Sequence, residues 1–157
     1  MLILHAAIHD ACLTWRWQTK TISHCFLVVK RVAMARVLVV DDNTLVRESF
    51  VELLARRGYD VASAADGELA ITMIRRAPCQ LAIVDVMMPT MGGLEFRQEL
   101  ATIAPNVKII FVTGQPDKFE QLVEDDPDYI DGTMNILFKP VHPVKMLAEV
   151  ERLIGAP

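Results

Sequence analysis

Four short runs of apolar residues in this sequence each lead directly into side chains that could do chemistry. An uninterrupted apolar run is typical of a strand inside a parallel sheet that is covered on both faces. Open sheets of this kind carry their sites at the carboxyl edge. The clearest run opens the stretch "LAIVDVMMPTMGG" (81–93), which breaks at a proline and two glycines. In chain order, the four runs end in Asp41 and Asp42, in Asp85, in Thr113 and in Lys139.

Three carboxylates at one sheet edge create an electrostatic problem that a positive charge must solve. At about 4 Å and an effective dielectric constant near 20, each like-charged pair costs on the order of 4 kcal/mol. Lys139 supplies one positive charge, which leaves a cluster of oxygen ligands that is still negative. Such a cluster suits a hard divalent cation, so the residue types favour a Mg2+ site.

An alternation of strand and helix patterns predicts the scaffold that would bring these side chains together. Because right-handed crossovers connect parallel strands, the carboxyl ends of the strands lie on one side of the sheet. The pattern therefore predicts an α/β fold, a doubly wound sheet of five parallel strands. The predicted strands are 36–42, 59–65, 81–85, 107–114 and 135–140. The predicted helices are 43–58, 66–78, 93–105 and 142–155, with one more within 116–130, limited by prolines to roughly 117–124.

The composition is that of a globular protein with one main domain. The chain has 157 residues, of which 52% are hydrophobic and 23% are charged. It contains no run of eighteen apolar residues, so we expect no membrane span. The three cysteines form no CxxC pair, which argues against a zinc site and against a disulfide framework. A cytoplasmic protein is the default expectation.

The first 35 residues differ from the rest of the chain. Residues 36–157 carry twelve basic and nineteen acidic side chains, a balance that disfavours direct binding of nucleic acid. Residues 1–35 carry four basic residues, one acidic residue and both tryptophans, with no clear period. We expect them to be a poorly ordered N-terminal extension or translated upstream sequence, with an amphipathic or docking extension as the alternative. The domain proper would then be 36–157.

The motifs "VLVVDD", "IVDVMMPTMGG", "FVTG" and "LFKP" occur in this order between residues 36 and 154. In this respect the sequence resembles the response-regulator receiver family. The resemblance implies a flavodoxin-like (β/α)5 fold with strand order 2-1-3-4-5. It also implies that Asp85 accepts a phosphoryl group from a phosphohistidine, carried by a sensor histidine kinase or a histidine phosphotransfer protein.

The resemblance implies roles for the other polar residues as well. Asp42, Asp85 and the backbone carbonyl of Met87 would bind Mg2+ directly, and Asp41 would act through a bound water. Thr113 and Lys139 would contact the phosphoryl oxygens. A cis peptide bond is implied between Lys139 and Pro140.

Two features depart from the family pattern. The position three residues before the lysine, where many relatives carry an aromatic residue, is Ile136, whose branched side chain is stiff. The segment 116–134 is long and acidic, which puts the usual fourth helix and output surface in doubt. Its acidic run, Glu124 to Asp128, is expected to be a solvated face, with docking of a partner as the alternative.

These observations predict a single-domain response regulator, because the chain ends directly after the last predicted helix. It would signal by binding an unidentified protein or by passing its phosphoryl group onward, and it would not be a turnover enzyme. A phosphorylation-independent binding module of the same fold is the main alternative. A metal-dependent phosphohydrolase is disfavoured because Met87 replaces the second acid that such enzymes use. The absence of a GxGxxG motif argues against a nicotinamide-binding role.

Overall fold

The structure, a computed structural model, describes residues 35–157. Within this range, strands and helices alternate as the sequence predicts. In chain order the elements are β1 (Arg36–Val40), α1 (Thr44–Arg56), β2 (Asp60–Ala64), α2 (Gly67–Arg76), β3 (Leu81–Asp85), α3 (Gly93–Ile103), β4 (Lys108–Thr113), α4 (Pro116–Val123), α5 (Pro127–Ile130), β5 (Ile136–Phe138) and α6 (Pro143–Ile154). A search of these residues for a helix long and apolar enough to span a membrane finds none.

The predicted N-terminal extension lies outside the described residues, with the exception of Ala35. That residue is buried, and its carbonyl accepts a hydrogen bond from the backbone N–H of Asp60 at 3.2 Å. Ala35 therefore packs with the domain that we predicted to begin at Arg36.

The five strands form one parallel sheet in the order β2-β1-β3-β4-β5. This order confirms the predicted doubly wound fold. Val40 pairs with Val84, and Asp85 pairs with Val112, so β1, β3 and β4 end at the same level. Because the strands end together, the residues that follow them share one edge of the sheet.

Alternate residues of the central strands contribute to two separate cores. Val37 and Val39 of β1 face a core shared with α1 and α6, whereas Leu38 and Val40 face a core shared with α2 and α3. All four are buried, and burying each side chain contributes about 1.5–3 kcal/mol. Cover on both faces explains why these strands are apolar throughout.

The acidic segment contains two helices where the sequence predicted one. The predicted helix corresponds to α4, but the sequence does not predict the short helix α5, because proline interrupts a helix at most positions. Proline is favoured at the first position of a helix, where its lack of an N–H costs nothing. Asp126 caps this helix by accepting a hydrogen bond from the backbone N–H of Asp128 at 3.0 Å.

Arg97 of α3 binds the acidic segment with both ends of its guanidinium. Its Nη1 atom donates to Asp126 at 2.5 Å, and its Nη2 atom donates to Asp128. The Asp126 side chain is only 25% exposed, so at this residue the acidic run is bound to Arg97 and is not the solvated face that the sequence predicts. Tyr129 of α5 packs edge-on against Phe119 of α4, which further fixes the segment.

Replacing Arg97 with methionine should lower the free energy of unfolding by about 1 kcal/mol at neutral pH. The hydrogen bond from Arg97 holds the pKa of Asp126 below its ordinary value. This contribution is therefore present above the ordinary aspartate pKa and is lost as the pH falls through the lower pKa of the folded state. Urea unfolding at neutral pH and at about pH 2 should show the difference shrinking in acid.

The matched control is Arg75→Met, which removes a more exposed pair between Arg75 and Glu99. We expect that variant to change stability by less than Arg97→Met. Equal losses in the two variants, or a loss that persists in acid, would contradict the assignment.

Candidate functional site

The ammonium group of Lys139 lies between two buried carboxylates at the carboxyl edge of the sheet. Its Nζ atom is 2.9 Å from Oδ2 of Asp41 and 2.7 Å from Oδ2 of Asp85. Asp41 is 2% exposed and Asp85 is 7% exposed. Residues at the carboxyl ends of β1, β3 and β5 therefore meet here, as the sheet topology requires.

The remaining oxygen of each carboxylate accepts a backbone hydrogen bond. Oδ1 of Asp41 accepts from the N–H of Asn43 at 2.8 Å, and Oδ1 of Asp85 accepts from the N–H of Met87 at 3.1 Å. Asn43 in turn caps α1 with its own side chain. Both carboxylates are thus oriented by the turns that follow their strands, which places the backbone of Met87 beside Asp85.

Asp42 completes a cluster of three acids. One oxygen from each of Asp41, Asp42 and Asp85 lies within 4.8 Å of the others, and Asp42 is exposed. All three donors are carboxylate oxygens, the ligands that Mg2+ prefers over sulfur or nitrogen. The donor set therefore fits Mg2+.

The local electrostatics leave the cluster with surplus negative charge. Burial raises the pKa of Asp41 above its ordinary value, and the negative charge of Asp85 adds to this increase. The hydrogen bonds from Lys139 and Asn43 lower the pKa, but they do not cancel the effect of burial. For Lys139, burial opposes the charged form, but the hydrogen bonds to Asp41 and Asp85 dominate and raise its pKa. One protonated lysine thus faces three acidic side chains, so a further cation would be needed to balance their charge.

Thr113 ends β4 at the same edge of the sheet. It is fully buried, and its carbonyl accepts a hydrogen bond from the backbone N–H of Lys139 at 2.8 Å. Its hydroxyl oxygen accepts from the backbone N–H of Gln115 at 3.1 Å, immediately before α4 begins. Thr113 is therefore linked both to Lys139 and to the start of α4.

The loop between β3 and α3 approaches Asp85 closely at Gly93. The N–H of Gly93 donates to the carbonyl of Val86 at 3.0 Å. A Cβ atom at Gly93 would lie 2.8 Å from the carbonyl oxygen of Asp85 and 3.0 Å from Cα of Val86. The N-terminus of α3 thus rests on the backbone of Asp85.

The end of β5 carries the departure from the family pattern. Ile136 pairs with Phe111 and packs against a small core that contains Phe111 and Phe119. Phe138 pairs with Thr113 and is 43% exposed. The strand ends there, one residue before Lys139, and the Lys139–Pro140 peptide bond is cis, as the resemblance implied.

Sequence reasoning missed Arg47, whose Nη1 atom donates to the carbonyl of Asp41 at 2.6 Å. Arg47 is the fourth residue of α1. No pattern of side chains in the sequence marks a hydrogen bond to a backbone carbonyl, so the sequence carried no signal for this contact.

Comparisons with known proteins agree with this geometry. A family model described as the response regulator receiver domain matches residues 37–151. The chain is 28% identical to the response regulator receiver protein CpdR of Brucella abortus and 31% identical to protein CcdB of Bacillus subtilis, in each case over 78% of this chain and 99% of the relative. Among solved structures, the chemotaxis protein CheY4 of Vibrio cholerae has a TM-score of 0.66 at 31% identity, covering 77% of this chain and 99% of that one. This chain belongs to the response regulator receiver domain family, whose members act in two-component signal transduction.

Proposed function

We propose that this chain is a single-domain response regulator that receives a phosphoryl group on Asp85. The donor would be a phosphohistidine on a sensor histidine kinase or a histidine phosphotransfer protein. The observation that carries the proposal is the position of Lys139, hydrogen-bonded to both Asp41 and Asp85. With Asp42, these residues form a site of three carboxylates and one ammonium.

The chemistry assigned to Asp85 is an in-line displacement at phosphorus. A carboxylate oxygen attacks the phosphorus atom, the bond from phosphorus to the imidazole nitrogen breaks, and the electron pair of that bond leaves with the imidazole. The N–H of Met87 orients the carboxylate, and Lys139, which donates to Asp85 at 2.7 Å, would donate to a phosphoryl oxygen. Catalysis of this kind rests on positioning and on neutralising charge.

Receiver domains bind Mg2+ at an acidic pocket. In this chain Asp42, Asp85 and the backbone carbonyl of Met87 would hold the ion directly, and Asp41 would hold it through a water molecule. When bound, Mg2+ would neutralise negative charge on the phosphoryl oxygens. Thr113 is the hydroxyl that we assign to a phosphoryl oxygen.

Phosphorylation would act as a switch through added charge. A phosphoryl group carries roughly 1.5 to 2 negative charges, and at Asp85 it replaces the single charge of the carboxylate, so the site gains up to about one negative charge. The hydroxyl of Thr113 accepts a hydrogen bond from the backbone N–H of Gln115, immediately before α4. Movement of the hydroxyl toward the phosphoryl group would therefore alter the start of that helix. The output would be binding of a protein partner or onward transfer of the group.

Other parts of the proposal rest on composition and on the family. Receiver domains are signalling proteins and generally do not act as turnover enzymes. The excess of acidic over basic residues in 36–157 favours a protein partner over nucleic acid. Within residues 35–157, Cys79 is a free, buried cysteine, which is compatible with the cytoplasmic location that we propose.

The test is to incubate the protein with a small acyl phosphate donor and Mg2+ and to measure its intact mass. We expect an acid-stable, base-labile increase of one phosphoryl group, which Asp85→Asn abolishes because the nucleophile is lost. Asp117→Asn is the matched control, since Asp117 is an exposed acid of α4 and should leave the increase unchanged.

The same experiment separates the proposal from its alternative. Folded wild-type protein that gains no mass would favour a phosphorylation-independent binding module of the same fold. A mass gain that survives in Asp85→Asn would place the modification on another residue.

A further inference from the structure

We infer that Arg47 is a positioning residue of the acidic site, fixing the turn that presents Asp42 to Mg2+. The inference rests on the proposed function of the site. It goes beyond that function because Arg47 belongs to α1 and is assigned no contact with the metal or the phosphoryl group.

Arg47 binds the backbone at the point where the chain leaves β1. Its Nη1 atom donates to the carbonyl of Asp41 at 2.6 Å, and its Nη2 atom donates to the hydroxyl of Thr44 at 3.3 Å. The Asp41 carbonyl belongs to the same planar peptide unit as the N–H of Asp42. A guanidinium that holds this carbonyl therefore fixes the plane from which Asp42 extends.

Two further hydrogen bonds hold the same turn. The N–H of Asp41 donates to the carbonyl of Ala64 at 3.3 Å, and the N–H of Asn43 donates to the carboxylate of Asp41 at 2.8 Å. With Arg47, the residues on both sides of Asp42 are tied down. The Asp42 side chain itself is exposed, so its direction depends on the backbone of this turn.

The location of Arg47 is not explained by the stability of α1. Acidic side chains, not basic ones, are favoured at the N-terminal end of a helix, so the helix dipole gives Arg47 no stabilisation at the fourth position of α1. Among residues 35–157, the nine ion pairs do not include Arg47. The half-buried guanidinium is instead used to bind a carbonyl, which is the role of a positioning group.

The direction of the change in Mg2+ affinity after loss of Arg47 distinguishes a positioning role from a purely electrostatic one. Removing a cation beside a metal site should by itself strengthen Mg2+ binding, because one repulsion disappears. Loosening the turn should weaken binding, because Asp42 is no longer held in place. Weaker binding after loss of Arg47 therefore cannot come from the charge.

The experiment is a calorimetric titration of the full chain with Mg2+. We expect Arg47→Met to weaken Mg2+ binding by about tenfold, the lower end of what loss of an outer partner of a metal ligand produces. Arg47→Lys should restore part of the affinity, since an ammonium can still donate to the Asp41 carbonyl. The matched control is Arg56→Met, which removes the same charge from the far end of α1, where Arg56 is 77% exposed, and should leave the affinity unchanged.

A second readout uses the metal-free protein and covers the case of poor folding. Amide exchange at Asn43 should be about tenfold faster in Arg47→Lys than in wild type, because the turn opens locally more often. An exchange rate at Asn43 in Arg47→Lys that equals the wild-type rate would overturn the inference. So would Mg2+ binding by folded Arg47→Met that is as tight as in wild type. Wild-type protein that binds no Mg2+ would overturn the proposed function instead, and the exchange measurement would still decide the role of Arg47.

Discussion

Replacing Lys139 with methionine should lower the free energy of unfolding of the metal-free protein by about 3 kcal/mol. The reason is that Lys139 is hydrogen-bonded to both Asp41 and Asp85, which are buried. Without the ammonium, two carboxylates remain in a poorly hydrated site with no cation between them. Removing one partner of a buried ion pair is costly because the other charge is left unpaired.

Mg2+ should recover much of the stability lost in Lys139→Met. The ion would replace the missing positive charge, and a ligand that binds only the folded state stabilises it by mass action. Urea unfolding with and without Mg2+ measures both effects. The control is Lys108→Met, since Lys108 is exposed at the opposite end of β4 and should show neither effect.

A similar loss of stability in both lysine variants would contradict this prediction. So would a stabilisation by Mg2+ that is no larger in Lys139→Met than in wild type. The phosphoryl acceptance assay should also fail in Lys139→Met, because the donor to the phosphoryl oxygen is gone.

Replacing Gly93 with alanine should destabilise the protein by about 2 kcal/mol and reduce phosphoryl acceptance. The new Cβ atom would lie 2.8 Å from the carbonyl oxygen of Asp85, and both of its nearest neighbours are backbone atoms that cannot rotate away. The N-terminus of α3 would have to move off the backbone that carries the acceptor. Helix propensity acts in the opposite direction, since alanine is favoured over glycine in a helix.

The matched control for Gly93→Ala is Gly114→Ala at the same edge of the sheet. A Cβ atom at Gly114 would lie 3.9 Å from the nearest carbon of Lys139, which is an ordinary contact. Both substitutions change the unfolded chain in the same way, so the difference between them reports the folded state. Thermal unfolding of the two variants should show a loss only in Gly93→Ala, and equal stabilities would contradict the steric argument.

The sequence predicted the parallel sheet and the position of five polar side chains at its carboxyl edge, because both follow from local patterns. These side chains are Asp41, Asp42, Asp85, Thr113 and Lys139. Apolar runs identify buried strands, and parallel connections place all strand ends on one edge. Asp85, Thr113 and Lys139 could therefore be placed at one edge without coordinates. The strand order itself came from the family resemblance, since periodicity does not determine which strands are neighbours.

The features that the sequence did not predict depend on contacts between distant segments. Arg97 binds Asp126 and Asp128, which follow it by about thirty positions, so the acidic run alone indicated a solvated surface. Arg47 reaches back to a backbone carbonyl, and no side-chain pattern marks such a bond. The helix that begins at Pro127 was not predicted because proline interrupts a helix in its interior but is favoured at its first position. The sequence alone does not show which of the two applies.

The hydrogen bond between Thr113 and Gln115 has a consequence for signalling in the absence of a stimulus. If Thr113 acts as proposed, rotation of its hydroxyl toward Asp85 gives up that bond unless the start of α4 moves with it. If the two positions of the Thr113 side chain differ only by this bond, which contributes about 1 kcal/mol, roughly one molecule in six is already rotated before any phosphoryl group arrives. The protein would then have a measurable basal output, and the strength of this one bond would set the background against which its partner must discriminate.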